Sequence, residues 1–216
     1  SPENRKAIVA FLRRKLKPGG LVYASYNAMP GWAPAAPMRH LMYLYGQNLP
    51  GSTGDKLEPA LKLVEQMQNV GAKYFVTNPS LAQKFDRMKA MPKSYLAHEY
   101  LNDAWTLLYH NEVADEFSEA KLSYLTSAHM LDHLDSINLT PGQLKLLSET
   151  PDRSLRETLR DFIVNQQFRR DLFVKGGLTM SMQEVRERWL ESRFALTTWR
   201  SDVALKVNGH LGEATL

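Results

Sequence analysis

His98, Glu99, Tyr100 and Asn102 place four polar or titratable side chains within five residues, enough to orient an amine and accept its hydrogen bonds. Tyr95, Trp105 and Tyr109 lie close by, and aromatic faces at that spacing could cage an ammonium by cation–π attraction. The plainer reading is structural: Glu99 ties down a loop through backbone N–H groups, and the aromatics are core. A second set, Tyr26, Asn27 and Trp32, stands where a short apolar run ends. Ligands of open α/β sheets gather at the carboxyl ends of strands, so these residues could border an active-site mouth. The structural alternative is that Pro30-Gly31-Trp32 turns the chain and Trp32 seals a junction between domains.

Other chemistry finds less support. His129 and His133 stand four apart with Asp132 and Asp135 alongside, which on a helix would put both imidazoles on one face. Zinc sites normally need a third or fourth ligand and the glutamate-bearing zincin pattern is missing, so no metal is assigned. There is no Gly-x-Ser-x-Gly and no cysteine, which removes serine-hydrolase and thiol chemistry and any disulfide framework. A chain without cysteine is compatible with a reducing cytoplasm, the expected compartment.

The elements that must position these residues follow from patterning. With 216 residues and 44% hydrophobic content, the chain can fill a core, and its apolar runs, such as Ala7 to Leu12, are far short of the roughly 20 residues a membrane span needs. The net charge of +4 is spread among acids along the helices, so charge does not nominate nucleic acid, and clusters such as Arg13-Arg14-Lys15 read as solvated faces.

Ser1 as N-cap and Pro2 at the first position start a helix with a stripe of Ile8, Phe11, Leu12 and Leu16, ended by Pro18-Gly19-Gly20. Leu21 to Tyr26 reads as a buried strand. One strand cannot satisfy its backbone without neighbours, so residues 1 to 32 are expected to be cut from something larger. From Trp32 onward helices dominate. Their expected spans are Pro34 to Asn48, Leu57 to Val70 with Pro59 in its first turn, a start at Asn78-Pro79, and part of Tyr95 to His110.

Lys121 to Thr126 is expected as a short strand, and Thr140 with Gln143 as a capping box. The longest helix is expected from Thr150-Pro151 to Gly176-Gly177. Leu155, Leu159, Phe162 and Ile163 would pack there, with Arg156 and Arg160 facing water. Met182 to Phe194 is another helix, and Val203 to Leu216 reads as a hairpin turning at Asn208-Gly209.

A resemblance sharpens this. The stretch from Ser1-Pro2-Glu3-Asn4-Arg5 through Leu16-Lys17-Pro18-Gly19-Gly20 to Tyr26-Asn27-Ala28-Met29-Pro30-Gly31-Trp32 resembles the late catalytic region of class I S-adenosylmethionine-dependent methyltransferases. In that family a helix ending in Leu-Lys-Pro-Gly-Gly feeds a central strand. Tyr95-Leu96-Ala97-His98-Glu99-Tyr100-Leu101-Asn102 and Gln166-Gln167-Phe168-Arg169-Arg170-Asp171-Leu172-Phe173 resemble the methyltransferase regulatory domain found in a bacterial subgroup.

The resemblance implies a mainly α chain with minor β. Residues 1–32 would be the C-terminal remnant of a Rossmann-like methyltransferase domain, 33–200 a helical regulatory domain, and 201–216 the start of a further β-containing segment. It also implies S-adenosylmethionine as cofactor of the full-length enzyme, a missing N-terminal catalytic domain as partner, and a protein as one conceivable substrate. The chain itself has no Gly-x-Gly-x-x-Gly and no early strand with its acidic partner, so it is expected neither to bind the cofactor tightly nor to carry catalytic residues. Two functions stand open: a regulatory module that positions the acceptor, and a helical protein-interaction module that never contacts it.

Overall fold

The computed structural model describes residues 1–177 and 180–215. Helix α1, Pro2–Lys15, opens as its sequence dictates, with Ser1 accepting from the Asn4 backbone N–H. Pro18-Gly19-Gly20 turns the chain into strand β1, Leu21–Asn27. A helical block follows: α2 Ala36–Gln47, α3 Thr53–Asn69, α4 Lys73–Val76, α5 Pro79–Lys89 and α6 Lys93–Leu101. Met38, Met42, Val64, Phe85 and Leu96 are among its fully buried side chains. Helix α3 starts earlier than its apolar stripe implies. Ser52 and Asp55 form a capping box there, which leaves Pro59 inside the helix rather than in its first turn.

The chain then returns to the sheet through α7 His110–Ser118, β2 Leu122–Ser127, a 3₁₀ turn Met130–His133, α8 Asp135–Asn138, α9 Pro141–Ser148, α10 Arg153–Val164 and β3 Phe168–Lys175. The expected capping box of α9 is present, with Thr140 and Gln143 bonding each other's backbone N–H. Last come α11 Met182–Glu191, a 3₁₀ turn Arg200–Asp202, and the antiparallel pair β4 Lys206–Gly209 and β5 Gly212–Thr215. Gly209 pairs with Gly212, so the hairpin turns at His210-Leu211 and not at Asn208-Gly209; Leu216, the last residue of the expected hairpin, lies outside the described residues. The hairpin leans on α8 through His210 N–H to Asn138 and Leu211 N–H to the Ile137 carbonyl.

The sheet order is β1-β3-β2, with β3 antiparallel to both neighbours, so β1 and β2 run the same way and end at the same edge. Strand β1 therefore has a neighbour from this chain, contrary to the expectation of a strand without any. That neighbour, β3, occupies the second half of what the apolar periodicity suggests is one long helix. Helix α10 stops at Asn165, which adopts the left-handed conformation at φ 53°, and the chain re-enters as a strand.

The packing of α10 is also the reverse of the expectation. Leu155 and Phe162 are 57% and 54% exposed while Asp161 is 2% exposed, and Arg160 is partly buried in an ion pair with Asp135. The physical reason is Arg169 on β3, whose guanidinium lets a carboxylate face the interior. One sheet face is covered by Val9 of α1, Val113 of α7 and their neighbours around Phe173. On the opposite face of β1, Leu21 and Tyr23 are 56% and 57% exposed, and Ile8 and Phe11 stand out from α1 to similar degrees.

Candidate functional site

Where β1 ends, the chain is clamped by backbone bonds that its sequence pattern did not announce. The Asn27 carbonyl accepts from Leu108, Ala28 donates to Gln167, Met29 to Leu108 and Gly31 to Gln166. Gly31 is required by that approach, since a Cβ there would lie 2.4 Å from the Gln166 carbonyl oxygen. The clamp ties the carboxyl end of β1 to the segments that lead into α7 and β3.

At this joint the two candidate sets meet. The Asn27 side-chain amide donates to Glu99 Oε1 from α6, and Trp105 Nε1 donates to the same oxygen at 2.9 Å. Glu99 Oε2 takes no hydrogen bond among the described residues. Trp32 is 6% exposed and packs edge-on against Trp105 at 5.3 Å and tilted against Tyr100 at 5.9 Å. Its ring is part of the core of the helical block. Burial raises the Tyr100 phenol well above its ordinary range, with the nearby Glu99 carboxylate adding to the effect.

The aromatic faces already hold cations of this chain. Lys84 of α5 sits 4.0 Å from the Trp32 ring centre and donates to Gln167 Oε1 at 3.3 Å. Arg39 of α2 lies 4.7 Å from the Trp105 ring centre and 5.2 Å from that of Tyr43, and it donates to the Asn102 carbonyl. Partial burial, helped by Arg87, lowers the Lys84 ammonium pKa, while Glu99 opposes the shift. The cage expected from Tyr95, Trp105 and Tyr109 does not form, because Tyr95 is 49% exposed on α6 and Tyr109 stacks on Phe162 at 6.1 Å.

The remaining candidates separate. His98 and Asn102 line a different cleft, with Tyr43, Lys56 and Asp103, on the α2, α3 and α6 surface. Asn102 Oδ1 accepts from the Ala104 backbone N–H, closing a local turn. Tyr26 points away from Asn27, as successive strand residues must, and donates to Asp171 at 2.7 Å. His129 caps a 3₁₀ turn and bonds Asp132, while His133 bonds Thr126 and the Ser127 carbonyl. Among the described residues no group of three or more His, Asp or Glu could hold a metal ion.

What the residues alone did not reveal is the ionic group under the sheet. Arg169 is 6% exposed and bonds Asp161 at 2.5 Å, Asp171 at 2.9 Å and Glu157 at 3.1 Å. His110, fully buried, meets Asp171 at 3.2 Å, and the Tyr124 hydroxyl donates to Glu157. Burial alone would raise the Asp171 carboxyl, but hydrogen bonds from His110, Arg169 and Tyr26 outweigh it and hold the group below its usual range. For Asp161 burial wins over Arg169 and pushes the carboxyl up to about 7. One signal was available: the α10 stripe extended by another turn lands on Gln166 and Arg170, so the helical period fails where β3 begins.

A helical block thus meets the carboxyl end of β1 in a three-stranded antiparallel sheet. Residues 92–175, from α6 through β3, match the family model described as a predicted methyltransferase regulatory domain. An uncharacterized Synechocystis protein is 44% identical over all of this chain, which covers 43% of that protein. An uncharacterized Rickettsia prowazekii protein is 25% identical over 184 residues, covering 82% of this chain and 32% of its own length. PKMT2 from Rickettsia typhi, solved in complex with AdoHcy, shares the fold with a TM-score of 0.66 at 24% identity, over 84% of this chain and 35% of that one. The chain thus spans less than half the length of each of these relatives.

The glycine-rich turns among the described residues differ from a nucleoside-binding loop in where they stand. The Gly19-Gly20 turn leads from a helix into a strand, at the sheet edge opposite Asn27. Gly176-Gly177 follows β3 ahead of α11, but no Gly-x-Gly-x-x-Gly pattern runs from a strand into a helix among the described residues. Among the described residues no helix is long and apolar enough to cross a membrane.

Proposed function

We propose that this chain is the regulatory and acceptor-positioning part of an S-adenosylmethionine-dependent methyltransferase, working in the cytoplasm beside an upstream Rossmann-like half that holds the cofactor. The bond between Asn27 and Glu99 carries the reading. It joins the carboxyl end of a strand, where α/β enzymes bind ligands, to the helical module at one point. Further support comes from the bare face of β1 and α1. There Leu21, Tyr23, Ile8 and Phe11 present apolar surface of the kind that additional strands and helices cover.

The acceptor in this reading is an amine-bearing protein side chain. Glu99 Oε1 is spent on Asn27 and Trp105, leaving Oε2 to take a hydrogen bond from that amine. Trp32 and Trp105 would line its approach. The methyl group comes from the sulfonium of the cofactor, and this chain supplies orientation and exclusion of water.

Glu99→Gln tests the assignment because the amide oxygen can still accept from Asn27 and Trp105 while the charge is removed. In the complete enzyme, methyl transfer should slow at least tenfold, about 1.4 kcal/mol of barrier, with an unchanged melting profile. Unchanged turnover with intact folding removes Glu99 from the site. The second reading, a protein-interaction module, is favoured by exposed Leu155 and Phe162 on α10, an apolar stripe turned to solvent.

A further inference from the structure

Helix α5 buries Leu81, Phe85 and Met88 in the helical block and carries two lysines, Lys84 and Lys89, which behave oppositely. Lys89 stays at the surface and pairs with Glu65 and Asp86 at 3.2 and 3.0 Å, and these bonds raise its pKa. Lys84 is drawn over the joint instead. Its Nζ lies 4.0 Å from the centre of the Trp32 ring and donates to Gln167 Oε1 at 3.3 Å. Burial and the like charge of Arg87 disfavour an ammonium there, while the Glu99 carboxylate works the other way. A lysine gains little from that exchange, since one ring face and one long hydrogen bond replace few of the contacts that water gives an ammonium.

The groups that receive Nζ are fixed independently of it. Trp32 packs on Tyr100 and Trp105 at 5.9 and 5.3 Å, and the Gln167 carbonyl accepts from the Ala28 backbone N–H. With Glu99 nearby, they offer a cation-attracting face, an acceptor oxygen and a negative charge, which together suit an alkylammonium. Lys84 is held less firmly. Helix α5 is anchored by its apolar residues, so Nζ can leave by rotation about side-chain bonds without moving the helix.

We propose that the Trp32–Gln167 site receives the alkylammonium of an incoming lysine, and that Lys84 occupies it in cis as an internal competitor, so that an acceptor enters only when Lys84 swings out. The competitor role rests on reading the Asn27–Glu99 joint as the acceptor site. Binding itself needs no cofactor and is measurable apart from methyl transfer. An occupant held by a single cation–π contact should weaken a rival by roughly twofold to fivefold.

The test is a titration of the 216-residue chain with n-butylammonium chloride at constant ionic strength, followed by side-chain chemical shifts. In the free chain the Trp32 ring current should hold the Lys84 ε-methylene protons upfield. Saturation with n-butylammonium should release them to the ordinary lysine position while the Trp32 indole resonances move. Lys84→Ala should bind roughly twofold to fivefold tighter and Lys84→Arg no tighter, and n-butanol, with the same stem and no charge, should leave Lys84 in place.

The proposal is overturned if n-butylammonium gives no saturable shift, if the Lys84 methylene stays upfield at saturation, if Lys84→Ala binds no tighter, or if n-butanol reproduces the release. Should Lys84→Ala fail to fold, displacement on the unsubstituted chain decides alone. Slowed turnover by Glu99→Gln without displacement of Lys84 would sink this inference and spare the acceptor reading; displacement with normal turnover by Glu99→Gln would do the reverse.

Discussion

Tyr26 and Asn27 are neighbours in β1, yet they serve two interiors built on opposite principles. Asn27 faces the helical block, where Met38, Met42, Val64 and Phe85 pack and the polar groups lie at the margin. Tyr26 faces an interior in which Phe173 and Val113 share space with Arg169, Asp171, Asp161 and His110. The first is stabilised by area removed from water and tolerates swaps that conserve volume. The second depends on every charge keeping its partner, so deleting one member should cost more than deleting the whole group.

That contrast can be broken most forcefully at Arg169. Arg169→Met leaves Asp161 and Asp171 buried without their shared cation and should destabilise the chain by about 3–5 kcal/mol in urea unfolding. Adding Asp161→Leu and Asp171→Leu should recover much of that loss. If Arg169→Met alone is neutral, the ionic interior contributes nothing to the fold and the contrast fails.

The joint itself comes next, through the tenfold loss of methyl transfer expected for Glu99→Gln without loss of stability. A smaller effect is carried by protons. The Asp161 carboxyl is raised by burial, so the folded state binds more protons than the unfolded one between its ordinary value of 3.8 and about 7, and stability falls as pH rises through that window. From roughly pH 6 to pH 8 the cost is about 1 kcal/mol, or roughly 2–4 °C in the melting midpoint, and Asp161→Asn should flatten the curve. Asp171, held below its ordinary range, acts in the opposite sense and only in acid, where stability is lost as pH falls through its lowered pKa.

The smallest effect sharpens the helical side of the comparison. Lys84 covers the face of Trp32 that an acceptor amine would use. Lys84→Met should therefore lower KM for the acceptor in the complete enzyme by roughly twofold to fivefold, the 0.5–1 kcal/mol scale of an exposed cation–π contact, with kcat unchanged. A rise in KM would mean that Lys84 helps to hold the acceptor and does not compete with it.

The two interiors were also unequally legible. Local signals worked where one residue decides one bond: Ser1 with Pro2, Thr140 with Gln143, and the Gly-bounded run that became β1. Apolar periodicity found the helices of the block because their buried faces are apolar. It misread 165–175 because the interior side of β3 carries Arg169 and Asp171, whose types read as surface until the partner charges are placed by the fold. The same blindness inverted α10, where Asp161 is inside and Phe162 outside.

At the site, the residue types selected Asn27 and Glu99 separately, and only the fold brings them together. Lys84 carried no sequence signal at all, being an ordinary lysine on an amphipathic helix. The division of His98 from Glu99 follows from helical geometry, which turns adjacent residues about 100° apart.

In the proposed function this chain positions the acceptor while another part of the protein binds the cofactor. Calorimetric titration of S-adenosylmethionine into this chain, and in parallel into a longer form that includes the upstream half, tests it most directly. The account predicts tight binding by the longer form and none measurable by this chain; tight binding by this chain alone would contradict it.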